Sequence, residues 1–317
     1  MTTIQKPINS GYGQGTTARE VVRNLGLDGA TAVVTGGYTG VGLETTRALA
    51  AAGATVIVPA RTPDKARAAL SGMVRVEIES LDLGDPTSID AFAARFSASG
   101  RPLHILVNNA GVMATPFARD ARGFESQLAT NHLGHFQLTA RLWPALRRSP
   151  GSRVVSLSSR GHRRAAFDFD DPHFERRPYD KWLAYGQSKT ANALFALALD
   201  ARGQPHRVRA FSVHPGAVIT DLMRHMPDEE GRAAVAAARA ESGLKSTEQG
   251  AATSVWCATS PQLEGMGGVY CEDVDIAQAV AADFPGPRGV RPWAMDPDLA
   301  ERLWTKSEEW TDATLTA

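Results

Sequence analysis

The 317-residue chain holds only two cysteines, Cys257 and Cys271, with no CxxC spacing and no histidine cluster around them. That excludes a disulfide framework and leaves no pattern for a structural zinc site. It also lacks a charge of one sign: 34 Lys and Arg balance 34 Asp and Glu. No net field therefore draws it to nucleic acid or an anionic membrane. No apolar run reaches the ~18 residues of a membrane span, and the opening MTTIQKPINSGYGQG has no apolar leader segment. The expectation is a reducing, cytoplasmic setting, with no nucleic acid, membrane or metal partner. What is present is an ordinary hydrophobic fraction, 43%, enough for a sizeable core.

Strand-like apolar runs recur at 31–35, 55–59, 74–78, 104–108, 153–158, 208–213 and 267–271. Helical patterns lie between them at 40–52, 63–70, 86–98, 123–147, 183–202 and 247–259. Short, nearly all-apolar strands separated by helices predict a parallel sheet covered on both faces. Right-handed crossovers wind it into a single-domain, doubly wound α/β (Rossmann) fold with seven mainly parallel strands. An N-terminal extension (1–28) with a loose start and a short helix over 16–26 precedes the 29–283 domain. A C-terminal extension (284–317) carries a capped helix over 296–310. Two segments break the rhythm, 160–182 and 221–246, and are expected to be substrate-side insertions.

The first strand runs directly into VVTGGYTGVGLETTRALA, which opens a helix. Gly36, Gly40 and Gly42 supply a tight turn, close backbone approach to a pyrophosphate and close helix–strand packing, and the helix N-terminus favours the anion. Thr35, Tyr38, Thr39 and Val41 shape the same turn. The spacing is TGxxxGxG rather than GxGxxG. The second strand ends VIVPARTPDKA, with Arg61 where an acid would hold a ribose hydroxyl. A guanidinium suits a 2′-phosphate, so the expected cofactor is NADP(H).

With TGGYTGVG, NNAG (108–111) and YGQSK in this order, the chain resembles the short-chain dehydrogenase/reductase family from about residue 16 to its C-terminal helix. LDLGDPTSIDAF, NNAGVMATPF, TNHLGHF, SLSSRGH and SVHPGAVITDL resemble one branch, that of retinol dehydrogenases, WW-domain oxidoreductases and the chloroplast-envelope oxidoreductase. The resemblance implies that Asp82 bonds the adenine amino group with Leu83 beside the ring. Asn109, Ala110 and Gly111 would lie against the adenine ribose. The backbone carbonyl of Asn131 would hold a water beside the lysine. Ser159 would orient substrate, Tyr185 would be the catalytic acid and Lys189 its partner. Pro215, Gly216, Val218 and Thr220 would bracket the nicotinamide and its phosphate side. Ser158 is the alternative for the serine, since only one of the two can face the cofactor. His132 and His135, at i, i+3, read as packing or hydrogen-bonding residues, as do His162, His173 and His214.

A carbonyl that accepts hydride becomes an alkoxide and needs a proton or a stabilising charge. A free tyrosine, with pKa ~10, is a poor acid near neutrality, and an ammonium one helical turn away is expected to lower it by roughly 1–3 units. Lys189 can also bond the nicotinamide ribose. The expected activity is NADP(H)-dependent transfer of hydride to or from a small-molecule carbonyl or alcohol, by a monomer or homo-oligomer. A non-enzymatic NADP(H)-binding redox sensor and an NADP-assisted epimerase or dehydratase remain alternatives. Phe167, Phe169, Phe174 and Trp182, with Leu222 and Met223, are candidate walls for a bulky or lipophilic substrate.

Overall fold

The computed structural model describes residues 3–315. Its centre is one sheet of eight strands, not seven, in the order β3-β2-β1-β4-β5-β6-β7-β8. The strands are β1 (Thr31–Val34), β2 (Thr55–Ala60), β3 (Val76–Ser80), β4 (Ile105–Asn108), β5 (Arg153–Leu157), β6 (Arg209–His214), β7 (Val269–Glu272) and β8 (Asp275–Ile276). The first seven pair in parallel, and β8 alone turns back antiparallel on β7. Its hairpin turn, Asp273–Val274, has both residues at positive φ (50° and 64°). A branched side chain is rare in that region. Here buried Val274 is held by its N–H donating to Thr253 and its carbonyl accepting from Ser10.

The parallel strands are apolar because helices cover both faces. On one face lie α1 (Ala18–Val22), α2 (Gly40–Ala51) and α3 (Pro63–Ala69), with a later helix, 247–259. On the other lie α4 (Pro86–Ala98), α5 (Ser126–Leu128), α6 (Gly134–Arg147) and α7 (Lys181–Gly203). A helix α8 (Asp228–Glu241) stands near the strand ends. Helix α9 (Thr247–Thr259) completes the first layer, and α10 (Pro297–Thr311) joins the second. Fully buried residues such as Leu49, Ile57, Phe92 and Leu106 anchor the two layers, each contributing about 1.5–3 kcal/mol of burial.

The expected helix over 123–147 is broken. Residues Ala129–Leu133 form a π-helical turn between α5 and α6, the kind of bulge that gathers at functional sites. The N-terminal segment is not loose. Gln5 makes three hydrogen bonds to the backbone of Tyr270 and Ala277, and the Asp275 carboxylate accepts from the N–H groups of Ile8 and Ser10. Polar side chains there find backbone partners along the β7–β8 edge. Helix α1 is shorter than 16–26 but starts on Thr17, whose capping box with Glu20 is complete. Cys257 and Cys271 are both free thiols and buried. Among the described residues, no helix is long and apolar enough to cross a membrane.

Candidate active site

In an open parallel sheet, ligands bind beyond the carboxyl ends of the strands, where the strand order reverses. Here that point lies between β1 and β4. Thr35 ties the two ends together: its Oγ1 accepts from the N–H groups of Asn109 (2.9 Å) and Ala110 (3.0 Å), and Asn109 Nδ2 donates to its carbonyl at 2.8 Å. Gly36 follows at φ 63° and packs on Asn109 and Ala110. A Cβ on Gly42 would fall 2.4 Å from both Asn109 Nδ2 and the Gly36 carbonyl, so only glycine lets α2 start this close. Gly40 faces the methyl of Thr220 across the cleft. Thr39 is the N-cap of α2, but its side chain caps no N–H, and the first turn holds no acid. The hydroxyl of Thr39 donates instead to Asp221. A 12-residue helix thus meets the cleft with its N-terminal N–H groups uncapped by a side chain, the arrangement that attracts an anion. Tyr38 is partly buried against the core, and Val41 lines the cleft.

Three other expected cofactor residues stand apart, at the ends of β2 and β3. Arg61 is exposed. Asp82 accepts from the Gly84 N–H at 2.9 Å. The Leu83 side chain is buried in the α4–α6 core rather than presented outward.

Ser158 and Ser159 point apart, as alternation requires. Ser158 Oγ donates to the Lys189 carbonyl at 2.7 Å and is buried. Ser159 Oγ accepts from the Gly161 N–H at 3.0 Å, and it and the Tyr185 ring flank the same glycine. A Cβ on Gly161 would strike the Tyr185 ring at 2.8 Å, which makes this glycine part of the site although its sequence gives no signal. Lys189 Nζ donates to the Leu157 carbonyl at 2.9 Å and lies 5.6 Å from the centre of the Tyr185 ring. The bare Cα of Gly111 leaves room beside this ammonium: a Cβ there would lie 3.7 Å from Nζ and 3.1 Å from Asn131 Oδ1.

Asn131 sits in the π-helical turn. Its carboxamide pairs with both backbone groups of Val112 and donates to Ser188 Oγ. Its backbone carbonyl lies 3.0 Å from His135 Nδ1, whose Nε2 lies 2.9 Å from Thr35 Oγ1. Burial pushes His135 down to about 4 and His132 to about 3, so both are neutral hydrogen-bonding groups. His132 bonds Ser307 of α10 at 2.7 Å.

The expected tuning of the tyrosine by the lysine is corrected. Burial pushes the Tyr185 phenol up to about 12, opposed by the Ser159 side chain. Burial brings the Lys189 ammonium down to about 7. Desolvation of two buried groups outweighs their mutual attraction across this distance. The protein's own packing therefore keeps the proton on the phenol and lets the ammonium titrate near neutrality.

Tyr185, Lys189 and Ser159 open onto a cavity of about 550 Å³. Asn109, Gly111, Pro215, Gly216, Val218 and Thr220 line the same space. Gly216, at φ 92°, has no room for a Cβ against the Lys245 side chain (2.6 Å). Of the expected substrate walls, Trp182, Leu222 and Met223 line the cavity. Phe167, Phe169 and Phe174 do not. Phe167 and Phe169 pack on each other, with Phe167 also against Trp310 of α10, and Phe174 packs on Tyr179. They serve the core because the 160–182 segment folds back under α10. Arg163, from the expected 160–182 insertion, and Arg291, from the distant C-terminal extension and without signal in the sequence, also line the cavity.

Residues 30–231 match the short chain dehydrogenase family. The chain is 46% identical over 303 residues to a probable oxidoreductase of Streptomyces antibioticus, covering 91% of this chain and 99% of that one. It is 39% identical over 293 residues to retinol dehydrogenase 12 of Homo sapiens, covering 90% and 87%. A crystal structure of a protein from Mycobacterium paratuberculosis superposes with a TM-score of 0.74 at 33% identity, covering 96% of this chain and all of that one.

Proposed function

The chain belongs to the short-chain dehydrogenase family of oxidoreductases, and from that premise we propose that it is an NADP(H)-preferring enzyme that interconverts a lipophilic carbonyl and its alcohol. The observation that carries this reading is the buried Tyr185 beside Ser159 on the wall of a 550 Å³ cavity, with Lys189 behind it. A pure binding protein has no use for that serine–tyrosine pair. The nicotinamide would supply the hydride.

The residues divide the remaining work. The uncapped N-terminus of α2, with Gly36, Gly40 and Gly42, would hold the pyrophosphate. Asn109, Ala110 and Gly111, with Asp82, would take the adenosine half, and Pro215, Gly216, Val218 and Thr220 the nicotinamide half. Arg61 supports the preference for a 2′-phosphate: it stands exposed at the end of β2, where no acid competes for the ribose. Tyr185 holds its proton at neutrality and would give it to the forming alkoxide, while Ser159 would fix the substrate oxygen. Lys189 would bond the ribose and carry positive charge beside the phenol. The carbonyl of Asn131, held by neutral His135, would seat a water on the proton path. The lipophilic class is supported by the aliphatic cavity wall of Met223, Met226, Val235 and Ala238, and by the retinol in the name of one relative. Two buried free thiols fit the proposed cytoplasmic setting.

The test is loss of NADPH absorbance with a panel of aldehydes and ketones of rising chain length. Efficiency should rise with apolar length and exceed that with NADH. No oxidation of NADPH by any member would sink the proposal.

A further inference from the structure

Arg163 and Arg291, on the substrate side of the cavity, each keep a buried guanidinium nitrogen without a hydrogen-bond partner. Arg291 is only 4% exposed. Its Nη1 donates to the Ala281 carbonyl at 2.8 Å and its Nη2 to the Phe284 carbonyl, while its Nε is buried without a partner. Arg163 likewise has a buried, unpartnered Nε. Among the described residues neither guanidinium forms an ion pair, whereas the neighbouring Arg160 is neutralised by Glu241 at 2.9 Å. Arg291 adds to the cost of charge on Arg163. The remaining nearby acid, Glu272, accepts from the Gly289 N–H, and burial pushes its carboxyl up to about 7. It is therefore a weak counter-ion near neutrality.

A guanidinium withdrawn from water is costly unless an anion meets it, and backbone carbonyls satisfy its hydrogen bonds without cancelling its charge. Both arginines line the cavity that holds Ser159 and Tyr185. The turn that carries Arg163 packs directly on Tyr185 and Gly186, away from the glycine turn that would take a dinucleotide's pyrophosphate. The cavity is thus amphipathic: a methionine- and alanine-rich wall from 223–238 faces Arg163 and Arg291, neither of which is in an ion pair among the described residues. We infer that Arg163 and Arg291 form a subsite for an anionic group, and that the substrate is a lipophilic aldehyde or ketone bearing a carboxylate at its far end. The reaction assigned to that substrate rests on the proposed oxidoreductase activity, but the binding does not.

The two can be tested separately. Calorimetry with the protein and NADP⁺ should show ω-hydroxydodecanoate binding about tenfold or more tightly than its methyl ester, the strength of a charge-assisted pair. Arg163→Gln should remove most of that preference, and Arg163→Lys should restore part of it. Equal affinity for acid and ester in the wild type, no binding of the acid, or equal weakening of both ligands by Arg163→Gln would overturn the subsite. Turnover of ω-oxododecanoate and its ester then addresses the reaction. A binding preference without NADPH oxidation by this or any panel carbonyl refutes the oxidoreductase reading and leaves the subsite. NADPH oxidation at equal efficiency with acid and ester refutes the subsite and leaves the reading.

Discussion

The two halves of the cleft are built by different means. On the cofactor side, the ends of β1 and β4 are fastened to each other by backbone and short side chains: Thr35, Asn109 and glycines that admit no Cβ. On the substrate side, the walls are side chains brought from separate segments: the 160–164 turn, residues 222–226, the mostly small residues of α8, and the C-terminal extension. Helix α8 buries only Ala238 and is fastened at its two ends by Glu230, which bonds Lys181 and Trp182, and by Glu241, which bonds Arg160. A site of the first kind tolerates little change, and one of the second kind can be redrawn by a few substitutions. Cofactor recognition is thereby held constant while the substrate varies, which is how one fold serves many chemistries.

Substitutions on the two sides should separate along that line. Ser159→Ala, which strips the oxygen-orienting donor, should lower kcat by about 10²–10³-fold, with cofactor affinity retained in a fluorescence titration. An unchanged kcat would remove Ser159 from the site. Arg61→Asp should shift the ratio of catalytic efficiencies for NADPH over NADH toward NADH by roughly 10–100-fold, and an unmoved ratio would place the 2′-phosphate elsewhere. Gly42→Ala should cost about 1–3 kcal/mol, the range for overpacking, read as a lower urea midpoint. A midpoint equal to wild type would mean the β1–α2 turn can relax. On the substrate side, Glu230→Ala removes one fastening of α8, a partly exposed contact. KM should rise only about two- to threefold with kcat unchanged, as for a weak surface pair.

The pH dependence sharpens the same contrast through Lys189 of the buried pair. Lys189 loses its proton as pH rises through about 7, so carbonyl reduction should fall above that pH with a single apparent ionisation. Stability should move the other way. Below about 7 the fold must bury a charged ammonium, and that penalty fades as pH climbs toward lysine's ordinary value, where the unfolded chain still binds the proton. Lys189→Met should abolish this rise in the denaturation midpoint between pH 7 and 10. A profile identical to wild type would show that Lys189 is not desolvated.

The cofactor side was legible in the sequence because its information is local. A strand, a glycine turn and a helix start lie within twenty residues, and each glycine answers a steric demand that the structure locates. Alternation at the strand end limited the serine to one of Ser158 and Ser159, and the family resemblance pointed to Ser159. The eighth strand was not legible, because its turn uses Asp273 and Val274 in place of the Asn-Gly or Asp-Gly that marks such hairpins. The three phenylalanines of 160–182 were misassigned for the opposite reason. Their aromatic character was plain, but the side faced by Phe167 and Phe169 depends on α10, more than a hundred residues away, while Phe174 packs on Tyr179. Arg291 was invisible on the same ground. The acidity of Tyr185 was misjudged because i, i+4 spacing reports nearness and says nothing of how far burial disfavours both charged forms.

The most direct test of the proposed role of Tyr185 is a single-turnover measurement: enzyme loaded with NADPH is mixed with a saturating long-chain aldehyde, and wild type is compared with Tyr185→Phe. Loss of the phenolic proton should slow the decay of NADPH absorbance by about 10³-fold or more, with NADPH affinity within about threefold of wild type, since a hydroxyl is lost and the ring that packs on Gly161 is kept. A decay rate in Tyr185→Phe within a few-fold of wild type would contradict the assignment of Tyr185 as proton donor.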